Sequence, residues 1–296
     1  MSFVRTYDSA TAPRGVLRHI LPLAGYPALI WRNRFTVNNF FRRELMGRFH
    51  GSFLGAWWML VQPLFQFTVY YLVFGIIFGD FKSGEGPDPT FAIYLFSGII
   101  VFHALIEAVG QGVNIVTSNS NLVKKVAFPS EVLIVPPVMN SIVIYLVGAI
   151  VCLVLGVAFG VLHPGLDLLA LPLVLLLQFA LTIGIGLFLG NLNVFIRDIS
   201  QLWRILSMAW MFTTPIFWEP TRLTSKFPAS ILPDVYFSMN PGYSLVMAHR
   251  IVLGGDNPVL GDLWTHIGWL TFWATFYLVL GYSTFVSKKH KFADLV

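Results

Sequence analysis

The chain has 296 residues, of which 56% are hydrophobic and only 11% charged, with a formal net charge of +5. Soluble domains carry about 25% charged residues because their surfaces face water. The composition therefore excludes an ordinary soluble domain, and with a mean hydropathy of +0.73 it predicts a protein whose surface faces lipid.

The segment ahead of the first apolar stretch is basic and aromatic. Residues 1–27 form a predicted cytoplasmic extension, without the short apolar core and cleavage site of a signal peptide. Residues 28–50 predict one amphipathic helix in the cytoplasmic membrane interface, with Trp31, Phe35 and Met46 on a shared face. An ordinary basic flank without regular structure is the alternative.

Six segments are long and apolar enough to cross a bilayer, which takes about 20 residues of helix. Two of them are weaker, because the second carries Glu107 and the fifth carries Arg204. Both charges fall at a similar depth, so we expect them to form an intramembrane ion pair, with independent extension to the interface as the alternative. The predicted spans are TM1 52–79, TM2 91–116, TM3 132–162, TM4 168–194, TM5 199–218 and TM6 263–287.

TM1 contains two glutamines on either side of a proline. Gln62 and Gln66 lie at i and i+4, on one helical face, and Pro63 between them is expected to kink the helix. Polar groups inside a membrane-spanning helix are expected to face a partner helix or a cavity rather than lipid.

Lysine and arginine are distributed unevenly between the two sides of these spans. Fifteen of the 19 fall in the amino-terminal segment, the TM2–TM3 connection 117–131, the TM4–TM5 region and the tail 288–296. The positive-inside rule therefore predicts that both termini are cytoplasmic. The basic charge follows from this topology, and nucleic acid is not a predicted partner.

The external connection 219–262 contains apolar pieces too short to cross the membrane. Asn240-Pro241 is typical of a helix start and Gly254-Gly255 of a helix stop, which predicts a helix near 241–253. A second helix is expected around 220–232. Both are expected to be re-entrant, dipping back into the membrane beside a pore; surface helices are the alternative.

Motifs for catalysis and nucleotide binding are absent from the sequence. There is no G-x-x-x-x-G-K-[ST] loop to hold ATP phosphates, no H-E-x-x-H and no G-x-S-x-G. The histidines have no metal-ligand spacing, and the single cysteine, Cys152, excludes a disulfide framework or a cysteine-based zinc site. We expect no catalytic residues, metal or cofactor in this chain.

Several ordered motifs carry a family resemblance over about residues 30–290. They are RELMGR at 43–48, GAW at 55–57, TSNSNLVKKVAFPSE at 117–131, NVFIRD at 193–198, TPIFW at 214–218 and NPGYS at 240–244, followed by Arg250. Taken in order, they resemble the ABC-2 permeases that export bacterial surface polysaccharides: O-antigen, capsule and teichoic acid exporters.

The resemblance implies a homodimer in the bacterial inner membrane, with the pore at the dimer interface. It also implies two copies of a separate cytoplasmic ATPase, which bind the ATP and Mg²⁺. Residues 219–262 would contain external gate helices. The segment 117–131 would be the coupling loop that docks on the ATPase, through Asn119, Asn121, Lys124, Lys125, Phe128, Pro129 and Glu131.

The implied substrate is a polysaccharide on a polyprenyl pyrophosphate lipid, with O-antigen favoured over capsule or teichoic acid. Arg42, Arg43 and Arg48 are candidates for steering the pyrophosphate, and positive-inside topology explains them equally well. Aromatic rings suit sliding sugars, although aromatic belts are usual at membrane interfaces. The candidate channel aromatics are Trp57, Trp58, Phe65, Tyr70, Tyr71, Trp210, Phe217 and Trp218.

Two other functions compete with polysaccharide export. One is an ABC-2 exporter of a drug or lipid, which a narrow closed dimer interface would favour. The other is a membrane glycosyltransferase or acyltransferase, which needs a convergent carboxylate or histidine cluster at a membrane face. The external carboxylates are dispersed along the sequence and do not predict such a cluster.

Overall fold

A computed structural model describes residues 23–77, 89–125, 129–227, 230–255 and 260–295. The regular structure in these ranges is entirely helical, which confirms the all-α class. Most of the amino-terminal extension, Phe128 and four of the carboxylates predicted to be external, Asp80, Glu85, Asp88 and Asp256, lie outside the described residues.

The described helices follow one another with short connections. In chain order they are α1 Tyr26–Arg32, α2 Arg34–Gly47, α3 Trp58–Tyr70, α4 Thr90–Val113, α5 Ile115–Ser118, α6 Ser120–Lys125, α7 Val135–Ala158, α8 Leu171–Phe195, α9 Ile199–Thr213, α10 Thr221–Lys226, α11 Leu232–Ser238, α12 Pro241–Val252, α13 Leu263–Lys288 and α14 Phe292–Leu295. A π-helical stretch, Tyr71–Ile77, continues α3.

Four helical segments are long and apolar enough to cross a membrane: Thr90–Val113, Ser130–Ala158, Leu166–Phe195 and Leu263–Lys291. They correspond to TM2, TM3, TM4 and TM6. The chain is therefore a multi-pass helical membrane protein.

TM1 and TM5 do not form simple long helices. In TM5, predicted as 199–218, α9 ends at Thr213, after 15 residues. That gives a length of about 22 Å, short of a hydrocarbon core of about 30 Å. The cause is local: Pro215 disfavours helical geometry at Thr214, which is extended, with φ −80° and ψ 138°.

Helix α4 is the centre of the bundle. Two-thirds of its residues are buried, and it packs against α7, α8, α12, α3 and α9. Large side chains such as Phe96, Phe102 and Leu105 are fully buried along it. Glu107 lies on this central helix and is one-quarter exposed.

Helices α8 and α13 form the most closely packed pair, at a contact of two glycines. A Cβ atom on Gly281 would collide with the carbonyl oxygen of Gly184, and one on Gly184 would collide with the backbone at Tyr277 and Leu278. Small residues permit such close approach of helices in membranes.

The amino-terminal interface region consists of two helices rather than the single predicted helix 28–50. The break falls at Asn33, whose side-chain amide donates to the carbonyl oxygen of Leu29 over 2.8 Å. Asparagine competes with the helical backbone in this way. On α2, Val37 is buried, whereas Phe35 and Met46 are 71% and 59% exposed, so an apolar face remains free for lipid.

Candidate functional site

Two cavities meet at Glu107. The first, of about 540 Å³, lies between α3, α4 and α7 and is lined by residues that include Arg48, Gln62, Gln66 and His103. The second, of about 560 Å³, lies towards the α5 end of α4 and is lined by residues that include Arg43 and Glu44. Together they form a groove with both polar and aromatic walls.

The groove confirms the expectation for the glutamines of TM1. Gln62 and Gln66 both line the first cavity, and Pro63 lines it between them. The side chain of Gln66 donates to the hydroxyl of Tyr70 over 3.0 Å, which places a second polar group on that wall. This face of α3 thus offers amide and hydroxyl groups to the cavity.

Glu107 pairs with Arg48, not with Arg204. The Nη2 atom of Arg48 lies 2.5 Å from the Oε1 atom of Glu107, and each side chain is one-quarter exposed. Arg204 is exposed and makes no ion pair among the described residues. The predicted Glu107–Arg204 pair is therefore wrong, because Arg48, directly after α2, forms the ion pair with this carboxylate. Arg48 is consequently neutralised by the protein itself.

A second carboxylate, Glu44, lies on the inner side of α2 beside this pair. Burial raises the pKa of Glu44, and the neighbouring Glu107 carboxylate raises it further; Asn140, Arg48 and Arg43 act in the opposite direction. The groove therefore holds two carboxylates and two arginines within one local network.

The candidate channel aromatics divide into exposed and packed residues. Trp57 and Phe65 are 68% and 70% exposed. Trp58 is also exposed, with its indole N–H donating to the hydroxyl of Ser52. On the other side, Phe217 stacks on Phe212 at 5.2 Å, so it keeps one ring face engaged.

The rings of Trp210, Tyr71 and Trp218 make contacts within the protein. The Trp210 indole donates to Asn240 Oδ1 over 2.7 Å and packs edge-on against Phe102. Tyr71 stacks against Phe67 and Phe159. The indole of Trp218 donates to the carbonyl oxygen of Phe212 over 3.0 Å. Trp210 therefore holds α9 against the start of α12, and its role as a channel aromatic stays a prediction.

The connection 219–262, predicted to be external, contains the predicted helix, α12, with Asn240 as its N-cap. The Asn240 side chain accepts from the Gly242 N–H over 3.0 Å, which confirms the proposed helix start. The second expected helix, near 220–232, is instead two short helices, α10 and α11. Prolines at 220 and 233 precede or open these pieces, as expected for N-terminal helix positions.

Arg250 anchors α12 to the bundle. Its guanidinium donates to the carbonyl oxygens of Pro215 over 2.8 Å, Tyr94 over 2.9 Å and Ile216 over 3.3 Å. It also lies 3.4 Å from the centre of the Tyr94 ring. The Pro215 and Ile216 carbonyls belong to the irregular turn after α9, so Arg250 supplies hydrogen bonds that the broken helix lacks. The Tyr94 carbonyl belongs to α4, so the same side chain joins that turn to the central helix. In the sequence, Arg250 was noted only as a residue that follows the NPGYS motif at 240–244, and no role was predicted for it.

The described residues of the predicted coupling loop, 117–131, are largely helical and only partly exposed. On α6, Asn121 and Lys124 are exposed, while Leu122 and Val123 pack inwards. Asn119 is used locally, its amide donating to the carbonyl oxygen of Ile115 over 2.9 Å. Pro129 precedes the 3₁₀ turn Ser130–Val132. Phe128 and the side chain of Lys125 are outside the described part of the chain.

Glu131 does not lie on the docking surface predicted for it. The residue is 3% exposed, and its carboxylate accepts from Lys289 over 2.9 Å. A side chain buried in an internal ion pair cannot contact a partner directly, so its predicted role as an ATPase contact is corrected to an internal one. In the described ranges no cluster of His, Cys, Asp and Glu could hold a metal ion.

Comparison with known proteins gives one family and several relatives. The family model described as ABC-2 type transporter matches residues 37–238. An O-antigen export system permease protein of Myxococcus xanthus is 26% identical over 75% of this chain and 82% of its own length. Another from Klebsiella pneumoniae is 24% identical over 86% of this chain and 92% of its own length. The polysialic acid transport protein KpsM of Escherichia coli is 24% identical over 69% and 74%.

Proposed function

This chain belongs to the ABC-2 type transporter family, and we propose that it is the transmembrane permease subunit of a surface polysaccharide exporter. The observation that carries the proposal is the similarity to O-antigen export permeases over 75% and 86% of the chain. The groove at Glu107 is consistent with it, because its amide, hydroxyl and aromatic groups suit a carbohydrate better than a purely apolar ligand. Such weak contacts let a polymer slide.

The proposed topology has six spans with both termini in the cytoplasm of a bacterial inner membrane. The 13 residues of α3 and the seven π-helical residues after it are together about as long as a bilayer core. Helix α9 would complete its crossing through the extended residues 214–218. In this arrangement α10, α11 and α12 form the external gate region.

The proposed assembly is a homodimer of this chain with two copies of a separate ATPase, which bind ATP and Mg²⁺. Two observations support docking at α6. Asn121 and Lys124 are exposed together one turn apart, and the inner face of the helix is anchored by Leu122 and Val123. The exposed apolar face of α9, with Ile205 67% and Met208 61% exposed, is available to a second copy or to lipid.

The proposed substrate is an O-antigen carried on polyprenyl pyrophosphate. Phe65 is exposed and lines the first cavity, and Trp57 is exposed just before α3; these two rings are the first candidates for sugar contacts. Arg42 and Arg43 are exposed on α2 and are candidates for the pyrophosphate. Arg48 would join them only after exchanging Glu107 for a phosphate oxygen.

Export of a capsular polysaccharide is the second candidate. The similarity to the polysialic acid transport protein favours it, although that match covers less of the chain than the matches to the O-antigen permeases. Teichoic acid, drug or lipid export has no specific support among these relatives.

Deletion of the gene in its host tests the proposal. We expect surface polymer to disappear while a lipid-linked polymer accumulates inside the cell, and both effects to reverse on complementation. A deletion strain that lacks polymer both inside and outside would contradict the proposal, since it would point to an enzyme of polymer synthesis. Chemical analysis of the accumulated polymer distinguishes O-antigen from capsule.

A further inference from the structure

A buried ion pair connects the coupling loop with the C-terminal tail. Glu131, in the turn Ser130–Val132, accepts from the Nζ atom of Lys289 over 2.9 Å, although 158 residues separate the two in the chain. The Glu131 side chain is only 4% exposed and that of Lys289 23%. The pair therefore links the start of TM3 with the end of TM6 on the proposed cytoplasmic side.

The same residue also holds the amino-terminal helix. The Tyr26 hydroxyl donates to the main-chain oxygen of Glu131 over 2.8 Å. The ring of Tyr26 lies 5.0 Å from that of Tyr282 on α13, and both residues are buried. Three separate parts of the chain thus converge on one turn of the coupling loop.

The tail beyond Lys289 closes over this junction. Phe292 is fully buried, with its ring 5.0 Å from that of Phe285 and 6.3 Å from that of Phe195. Helix α14 packs against α6 itself. We call Tyr26, Glu131, Tyr282, Lys289 and Phe292 the tail cluster.

We infer that the tail cluster holds α6 in its docking position, and that Glu131 and Lys289 are positioning residues for energy coupling. This inference rests on the proposed function, since it presumes that α6 docks on an ATPase. A helix of six residues is not stable by itself, so its orientation comes from the contacts made by its inner face. Those contacts run to the apolar cluster that contains Tyr26, Tyr282, Phe285 and Phe292.

The charges make this arrangement sensitive to single substitutions. The Oε2 atom of Glu131 is buried without a hydrogen-bond partner among the described residues. Lys289 supplies the counter-charge to this carboxylate. Without Lys289, the buried carboxylate is unpaired, and the turn Ser130–Val132 must move before water can hydrate it. Replacing both residues with neutral ones removes that demand, so the double variant is expected to behave better than either single one.

The first test measures the position of α6 in the permease alone. Spin labels at Asn121→Cys, exposed on α6, and Gly165→Cys, an open loop position, would be placed in a Cys152→Ala background diluted with unlabelled protein. We expect Lys289→Gln to shift or broaden the distance distribution, and Glu131→Gln with Lys289→Gln to restore it. The matched control is Lys291→Gln, an exposed lysine two residues along the tail.

The second test measures coupling in the complex with the ATPase. With permease amount and ATPase co-purification unchanged, Lys289→Gln is expected to reduce the polymer exported per ATP by roughly fivefold or more. The neutral double variant is expected to recover most of it, which a general loss of folding would not allow. Lys291→Gln is expected to match the wild type.

An unchanged distance distribution in Lys289→Gln would overturn the inference without involving any partner. A shifted distribution with normal export per ATP would overturn the coupling role while leaving the positional one. Failure of the wild-type chain to bind any ATPase would instead contradict the proposed function, and the coupling role with it.

Discussion

At the scale of single side chains, the Glu107 carboxylate is defined by the residues that lie close enough to contact it. Glu107 lies on the central helix α4, and its partner comes from the end of α2, 59 residues earlier in the chain. Gln111 donates to the same carboxylate over 3.2 Å. The carboxylate is therefore held in place from two elements, at the point where both cavities meet.

A double-mutant cycle tests the partner of Glu107. Because each side chain is one-quarter exposed, we expect a coupling free energy between Arg48→Gln and Glu107→Gln of about 0.5–2 kcal/mol, above typical surface pairs. The free energy of unfolding in mixed micelles is the measurement. The same cycle with Arg204→Gln is expected to give a value near zero, and a larger coupling to Arg204 would refute the assignment.

Glu44 predicts a dependence of stability on pH. Its folded-state pKa is raised, chiefly by burial, so the ionised carboxylate destabilises the fold above that pKa, and the penalty disappears as pH falls through it. Glu44→Gln is therefore expected to raise the melting temperature at about pH 7.5, and the gain is expected to shrink towards pH 5 or below. The exposed Asp294→Asn is the control. A gain that grows at lower pH would reverse the sign and contradict the account.

At the scale of elements, much of the fold follows from sequence pattern. Hydropathy identified TM2, TM3, TM4 and TM6, because long apolar runs have few alternatives to a helix in lipid. Asn240-Pro241 and the Gln62–Gln66 face were also correct, since capping and helical spacing are local properties. These signals need no knowledge of the packed structure.

Long-range contacts could not be predicted in the same way. The partner of Glu107, the burial of Glu131 and the carbonyl cluster around Arg250 each join residues far apart in the chain. Helical periodicity shows which face a residue occupies but not which distant side chain reaches it. The break at Asn33 and the early end of α9 were missed because a polar cap and a proline outweigh the apolar pattern.

The α8–α13 pair predicts a steric effect at one glycine and none at another. Gly281→Leu forces side-chain atoms into the backbone of Gly184, so the apparent melting temperature is expected to fall by roughly 5 °C. Gly268→Leu on the same helix, where nothing lies within 4 Å of a Cβ atom, is the matched control. Equal shifts for the two variants would contradict close packing at this crossing.

At the scale of the whole molecule, the chain has the features of a transporter permease. It provides a groove, exposed aromatic residues and a short helix, α6, held by its inner face, and its sequence contains no phosphate-binding loop. In the proposed assembly, the ATPase displaces α6, and the contacts of the tail cluster transmit that displacement to α13 and α1. In the same assembly, Arg250 would keep α12 attached to α4 during that movement.

The central claim is ATP-driven export of a polymer by this chain with a separate ATPase. Its most direct test uses proteoliposomes with the ATPase on the outside and a labelled lipid-linked polymer in the membrane. We expect ATP, but not ADP, to render the polymer resistant to an added endoglycosidase as it moves into the lumen. Equal digestion with and without ATP, or protection that needs no ATPase, would contradict the account.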